Sequence, residues 1–246
     1  MPIFHKFFQT DWNNGFETHN AILDITPYKP EIMFIGTYNP CVPGNTADFF
    51  YGRNYFWTGF KNLFIHNFVG VLQRRDNTFP INPTLDEVFE LCGRLRLTFA
   101  DLIQNVLHNN NPAYNLLPRN KVHYAGRDIS LIKDNGLELL NGMGQVNWNT
   151  QNIIKYLCDN PQIKTIYFTR QPTGIWAGHW NAIKNHNCMK GRQMTNIYTP
   201  SGLGLPGSPR MTKLLNHWVH NNNTNFGKLD NNWLINNGVN INNFLI

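Results

Sequence analysis

Two segments concentrate the residue types that could do chemistry. The first runs from Gly36-Thr37-Tyr38-Asn39-Pro40 to Phe49-Phe50-Tyr51-Gly52-Arg53-Asn54-Tyr55-Phe56-Trp57. It offers the side-chain amides of Asn39 and Asn54 and three consecutive aromatic rings. The second, Thr199-Pro200-Ser201-Gly202-Leu203-Gly204-Leu205-Pro206-Gly207-Ser208-Pro209-Arg210, offers small residues, hydroxyls, an apolar Leu203 and a cationic Arg210. An amide can position a water or stabilise developing charge, and a flat ring can stack on a flat ligand. A glycine-rich loop lets backbone approach a polyanion, with an apolar side chain as wedge. Cleavage of a sugar–base bond asks for this set, because its transition state separates a cationic sugar from an anionic base and needs no covalent help.

Each residue also has a plain structural reading. Asn39 before Pro40 suits a turn, and Asn54 suits the cap of a helix that follows it. Phe56 and Trp57 suit a core. The glycines and prolines of the second segment suit a surface loop. Asp101, in Ala-Asp-Leu-Ile, reads as a helix or turn cap.

The elements that must position these segments are read from apolar runs and breakers. Ile32–Ile35 is a short apolar run between Pro30-Glu31 and Gly36, the pattern of a buried parallel strand. Further strands are expected at Phe99–Ile103, Thr165–Thr169 and Met194–Tyr198. Helices are expected at Trp57–Phe64, at Thr84–Leu91, at Thr150–Leu157, at Ile175–Ile183 and at Met211–Val219. The Thr84-x-x-Glu87 pair marks a capping box. The polar stretch from Asn105 to Arg127 reads as an insertion or mobile loop, and the Asn-rich tail of residues 221–246 as an extension that packs back. Alternating strands and helices predict an α/β fold: a three-layer α/β/α sandwich around a central, mostly parallel four-stranded sheet, with both loops at the carboxyl ends of its strands. The 246 residues fit one such domain, with its core over about 28–218.

Composition narrows the classes. Apolar residues make up 41% and charged residues 15%, and Lys+Arg exceed Asp+Glu by 21 to 15, which favours a polyanionic partner. No stretch approaches the roughly 20 apolar residues of a membrane span. Cys41, Cys92, Cys158 and Cys188 form no CxxC-type pair, which argues against zinc or iron–sulfur ligation and suggests reduced, mostly buried thiols in an intracellular protein. His179, His186 and His217 show no ligand spacing and read as surface or satisfied polar groups.

The pattern Gly36-x-x-x-Pro40, then an aromatic stretch, then Arg53-Asn54-Tyr55-Phe56-Trp57 resembles the first motif of the uracil-DNA glycosylase superfamily. The nearest branches are the mismatch-specific uracil/thymine and the hypoxanthine-DNA glycosylases. Pro200-Ser201-Gly202-Leu203 resembles the second motif, which enters the minor groove. The likeness covers roughly residues 28–218. It implies a monofunctional DNA glycosylase, monomeric, metal-free and cofactor-free, acting inside the cell (on the nucleoid in a prokaryote). Its substrate would be uracil or hypoxanthine flipped out of DNA. By resemblance Asn54 is the catalytic amide, with Asn39 second. Phe50 or Tyr51 stacks on the base, Tyr38 and Thr199 flank it, and Pro200, Ser201, Gly202, Leu203 (as wedge) and Arg210 contact DNA. Two positions depart from the pattern. Tyr38 stands where the family usually has Asp or Asn, and Thr199 where relatives carry Asn or His. A nucleic-acid-binding protein that keeps the fold without the chemistry is therefore the alternative, and a hydrolase of free nucleosides a weaker one. No lysine lies in either segment, so no Schiff-base step is expected.

Overall fold

The computed structural model describes residues 1–68, 83–109, 113–202, 204–205, 210–221 and 225–245. Thirteen strands are present among them: β1 Ile3–Phe4, β2 Gln9–Asp11, β3 Phe16–His19, β4 Ile22–Ile25, β5 Ile32–Gly36, β6 Leu97–Asp101, β7 Ile103–Val106, β8 Asn115–Leu117, β9 Lys121–Tyr124, β10 Arg127–Ser130, β11 Val146–Trp148, β12 Thr165–Phe168 and β13 Gln193–Asn196. The α-helices are α1 Phe56–Lys61, α2 Leu85–Leu95, α3 Asp134–Gly142, α4 Thr150–Asp159, α5 Ile175–Lys184, α6 Arg210–His220 and α7 Asn231–Asn236. A π-helical turn, Asn62–His66, continues α1.

The expected three-layer α/β/α sandwich around a four-stranded, mostly parallel sheet is not what forms. The main sheet has seven strands in the order β13-β12-β5-β6-β4-β3-β2, and two three-stranded sheets, β1-β7-β11 and β10-β9-β8, accompany it. β5 and β6 are parallel, in register Phe34 to Phe99, whereas β4 pairs antiparallel with β6, and β3 and β2 follow it, each antiparallel to its neighbour. The physical reason lies in the first 25 residues, which carry no long apolar run. Their strands are two to four residues long, and β2, β3 and β4 are reversed by tight turns, with Asn13, Gly15, Asn20 and Ala21 at positive φ. Such turns favour Asn and Gly, whose left-handed conformation costs least. The stretch expected to be a mobile insertion is likewise ordered for the most part. β9 and β10 pair with Val122 opposite Ile129, both buried, and Ala125-Gly126 at positive φ close the hairpin. Two apolar residues, one per strand, anchor this pair, which is why no hydrophobic run announces it.

Elsewhere the reading of local pattern holds. β5, β12, β13, α4, α5 and α6 fall where periodicity puts them. The capping box at α2 is formed: Thr84 N donates to Glu87 Oε2 at 2.8 Å, and Glu87 N to Thr84 Oγ1 at 3.3 Å. The tail packs back. Asp230 caps α7 by accepting from Trp233 N at 2.7 Å, and Asn216 Nδ2 donates to Phe244 O at 2.8 Å with Phe244 fully buried.

By contact clustering the chain divides into two units. One comprises residues 1–46, 96–166 and 172–193; the other comprises residues 47–95, 167–171 and 194–246. In the first, Phe34 and Phe99 stack at 5.9 Å on the β5–β6 pair. In the second, Phe56 and Phe60 stack at 4.2 Å, Trp218 meets Phe60 edge-on, and Trp233 meets Phe64. Such aromatic pairs add about 0.5–1.5 kcal/mol each beyond the area they bury. No described helix is long and apolar enough to cross a membrane.

One expectation about cysteine is overturned. Cys158 and Cys188 are joined by a disulfide across 30 residues of sequence; Cys41 is free and exposed, and only Cys92 is a free buried thiol. Folding brings together α4 and the turn after α5, a proximity that spacing along the chain does not reveal.

Candidate functional site

The two segments singled out by residue type divide between the units, and each cluster stands by itself. In the second unit, the turn before α1 and the loop after β13 meet. Tyr55 N donates to Pro200 O at 3.1 Å, and a Cβ on Gly202 would lie 3.7 Å from the Tyr55 ring. Gly202 sits at φ +63, closing a turn in which its N–H donates to Thr199 O at 3.0 Å. That backbone conformation and the lack of a side chain let the Pro200-Ser201-Gly202 turn lie against Tyr55. Thr199 Oγ1 and Ser201 Oγ are hydrogen-bonded at 3.2 Å. Pro200 and Gly202 are buried, Thr199 and Ser201 half-buried, and Arg210 is exposed at the first turn of α6. Leu203 lies outside the described residues.

The turn before α1 presents Asn54, half-buried, whose Oδ1 accepts from Phe56 N at 3.0 Å. This Asx-turn opens the helix and fixes the amide plane. Among the described residues the Asn54 NH2 group has no protein partner, so it is a directed donor. Tyr51 is held at φ +60, a conformation that costs an aromatic residue strain. Its ring stacks on Phe56 at 4.6 Å and its hydroxyl pairs with Thr169 Oγ1 at 3.1 Å. Thr169, which no sequence argument selected, follows directly on β12. Phe50 is 1% exposed, edge-on to Phe49, and its carbonyl accepts from Trp57 Nε1 at 2.6 Å. It is core, with no face turned to a ligand.

In the first unit the residues after β5 are structural. Tyr38 is buried and its hydroxyl donates to Ile3 O at 2.6 Å. Burial holds its phenol pKa well above the usual value, with Cys41 and Tyr114 adding to the shift, so it is a neutral post. Asn39 Oδ1 accepts from Asn45 Nδ2, which also donates to Pro40 O at 2.6 Å, and Asn39 O accepts from Lys6 N. Its amide oxygen is thus committed to the turn before Pro43-Gly44.

Beside this turn lies a pair that sequence reasoning missed. His5 Nε2 is 2.6 Å from Asp101 Oδ2, with the imidazole fully buried and the carboxylate 9% exposed. Phe7 N donates to His5 Nδ1 at 3.0 Å. The hydrogen-bond network therefore assigns the proton to Nε2, which donates to the carboxylate. Both imidazole nitrogens are occupied, so His5 orients Asp101 and is itself no base. Behind the pair, the fully buried Asn149 donates to Asp101 O at 3.0 Å and accepts from Gln104 Nε2 at 2.9 Å. His5 and Asp101 are 96 positions apart, and nothing in a single sequence couples them.

Of the three histidines read as surface or satisfied groups, His186 is exposed and His179 is satisfied, whereas the buried Nδ1 of His217 has no hydrogen-bond partner among the described residues. His179 stacks on Trp148 at 3.6 Å and pairs with Thr150 through Nδ1, and burial lowers its pKa. His217 stacks on Tyr198 at 5.0 Å, and burial lowers its pKa too.

Comparison with protein-family models, with curated proteins and with solved structures gave no match to this chain.

Proposed function

We propose that the protein is a metal-independent DNA glycosylase that hydrolyses the N-glycosidic bond of a deaminated base, uracil or hypoxanthine, flipped out of DNA. The observation that carries this reading is the Tyr55 N–H···O=C Pro200 hydrogen bond. It unites the Asn54 turn with the Ser201-Gly202 turn, the two segments whose motifs resemble those of the uracil-DNA glycosylase superfamily. On this reading the Asn54 NH2 donates to the oxygen of the departing base, where negative charge develops, and a preoriented donor is worth most in a dry site. Tyr51 and Tyr55 supply aromatic surface for the extruded base, and Thr199 and Ser201 supply hydroxyl contacts. Arg210 pairs with a phosphate, and Leu203 fills the vacated stack. The net charge of +6 supplies non-specific attraction.

A second reading is favoured by a specific observation: Asn54 Oδ1 and Asn39 Oδ1 are both engaged within their own turns. With Tyr38 buried and Thr199 in place of an amide or imidazole, the same surface would bind lesion-bearing DNA without cutting it. The experiment is a panel of oligonucleotides carrying uracil, hypoxanthine or a mismatched thymine, in single- and double-stranded form, with free base measured by chromatography. Base release from at least one uracil or hypoxanthine substrate is expected. Tight binding to the panel with no release selects the second reading, and neither binding nor release overturns both.

A further inference from the structure

Away from both clusters, three soft ligand atoms converge at the carboxyl end of α4. Cys158 is the penultimate residue of that helix, and Cys188 is the middle residue of a 3-10 turn, Asn187–Met189. Their Cα atoms are 5.5 Å apart and the disulfide joins them. His186 caps the 3-10 turn, with Nδ1 3.2 Å from Cys188 Sγ and 3.7 Å from Cys158 Sγ. All three ligand atoms lie within 4.8 Å of one another. Both sulfurs belong to half-buried residues, and the imidazole is exposed.

We propose that, once the disulfide is reduced, Cys158, Cys188 and His186 bind one divalent ion of the zinc class, with water as the fourth ligand. Tetrahedral zinc takes thiolate sulfur at about 2.3 Å and imidazole nitrogen at about 2.0–2.1 Å. Those bond lengths put a nitrogen–sulfur pair about 3.6 Å apart and the two sulfurs about 3.8 Å apart. The two nitrogen–sulfur distances present already bracket the first value, so the backbone holds the imidazole where a tetrahedral ligand belongs. Only the sulfurs must separate, by rotation of the cysteine side chains after the bond is broken. The chemistry balances. A dithiol reductant delivers two electrons and two protons to the disulfide, giving two thiols and the oxidised reductant. The incoming ion then displaces both thiol protons to solvent and leaves a neutral dithiolate–dication centre. The separation of 30 residues between the cysteines, with His-x-Cys on one side only, hides the set from any spacing rule. Either linkage, covalent or metal-mediated, ties the end of α4 to the turn after α5, so the same local structure is stapled under oxidising and reducing conditions.

The test uses the full chain, reduced anaerobically with a phosphine, desalted and titrated with cobalt(II) as a spectroscopic stand-in for zinc. One equivalent is expected to bind, with thiolate-to-cobalt absorption in the near ultraviolet and the visible bands of a tetrahedral site, both abolished by one equivalent of zinc. The oxidised chain should give neither. Cys188→Ser should abolish the bands, and Cys41→Ser should leave them. His186→Ala keeps both cysteines, and so can still form the disulfide. It should weaken cobalt binding by roughly tenfold or more, since a lost ligand costs at least what a lost supporting contact does. A reduced chain with no thiolate–cobalt band overturns the proposal. Bands that survive Cys188→Ser, or that vanish in Cys41→Ser, overturn it equally.

Discussion

Replacing His5 by Phe removes one partner of a fully buried pair while roughly keeping volume, and the cost can be worked from its contacts. The Asp101 carboxylate loses its 2.6 Å donor while staying 9% exposed. A hydrogen bond from a neutral donor to a carboxylate contributes about 1.5–3 kcal/mol, and the buried carboxylate is left without it. Phe7 N loses its acceptor at His5 Nδ1, and an orphaned buried donor costs about 1–3 kcal/mol. Added apolar contact with Phe7 and Tyr38, whose rings lie 5.8 and 6.2 Å from the imidazole, offsets part of this. A net loss of about 2–4 kcal/mol is expected, a large fraction of the stability of an ordinary domain. His5→Phe combined with Asp101→Leu should recover about 2 kcal/mol or more of it, because the second change removes the uncompensated carboxylate. Urea unfolding followed by far-ultraviolet circular dichroism measures all four corners of the cycle. A coupling energy under about 0.5 kcal/mol would mean that the pair is not mutually dependent, and the account of Asp101 as a carboxylate oriented by His5 would be refuted.

Acid sensitivity follows from two shifted groups. Glu87 is held below the usual glutamate range by its hydrogen bond from Lys61 and then by that from Thr84 N. A depressed carboxyl contributes stability that is present above the unfolded value of about 4.3 and is lost as pH falls through the lower folded value. Glu87→Gln should therefore be less stable than the parent at pH 7 and converge with it as the pH falls through the depressed folded value, as read by chemical melts across pH. His179, lowered by burial, contributes stability that is present above about pH 6.5 and lost on acidification; an imidazole titrating by NMR at or above that value would contradict its burial against Trp148. Gly136→Ala in α3 would set a Cβ against Ser130 O, a backbone atom, so α3 must shift from the end of β10 at a cost of about 1–3 kcal/mol. A melting temperature equal to the parent's would show that no such contact exists.

What the sequence disclosed was whatever a short window encodes. β5 and β12 are continuous apolar runs, α4 and α6 have a clean apolar stripe, and Thr84 and Glu87 sit at the spacing of their reciprocal bonds. The antiparallel meander of β2, β3 and β4 was legible only through its turns, since Asn13-Asn14-Gly15 is the residue type a tight reversal needs. Its strands are too short and too mixed for periodicity to show. Long-range pairings were not legible at all: His5 with Asp101, Cys158 with Cys188, and Asn149 with Gln104 are facts of folding. At the candidate site, residue type pointed to the two turns that do meet, through Tyr55 and Pro200. The turn reading of Asn39 holds, since its amide is spent on its own turn, but residue type did not foresee that Tyr38 is buried. Aromatic and amide residues serve cores and turns as readily as ligands, and only burial and hydrogen bonding separate the uses.

Asn54 carries the central claim, and its two roles differ in size. As an Asx-turn alone, its removal costs about 1 kcal/mol of stability and leaves nearly all of the protein folded. As the donor to a departing base, its removal costs about 100- to 1,000-fold in rate. The deciding measurement is the single-turnover rate of base release from a uracil or hypoxanthine oligonucleotide by the parent and by Asn54→Ala, alongside their melting curves and DNA affinities. The account predicts a drop of about 100-fold or more in release with affinity kept within about threefold. Equal release rates in the two proteins, or no release by the parent on any uracil or hypoxanthine substrate, would contradict it.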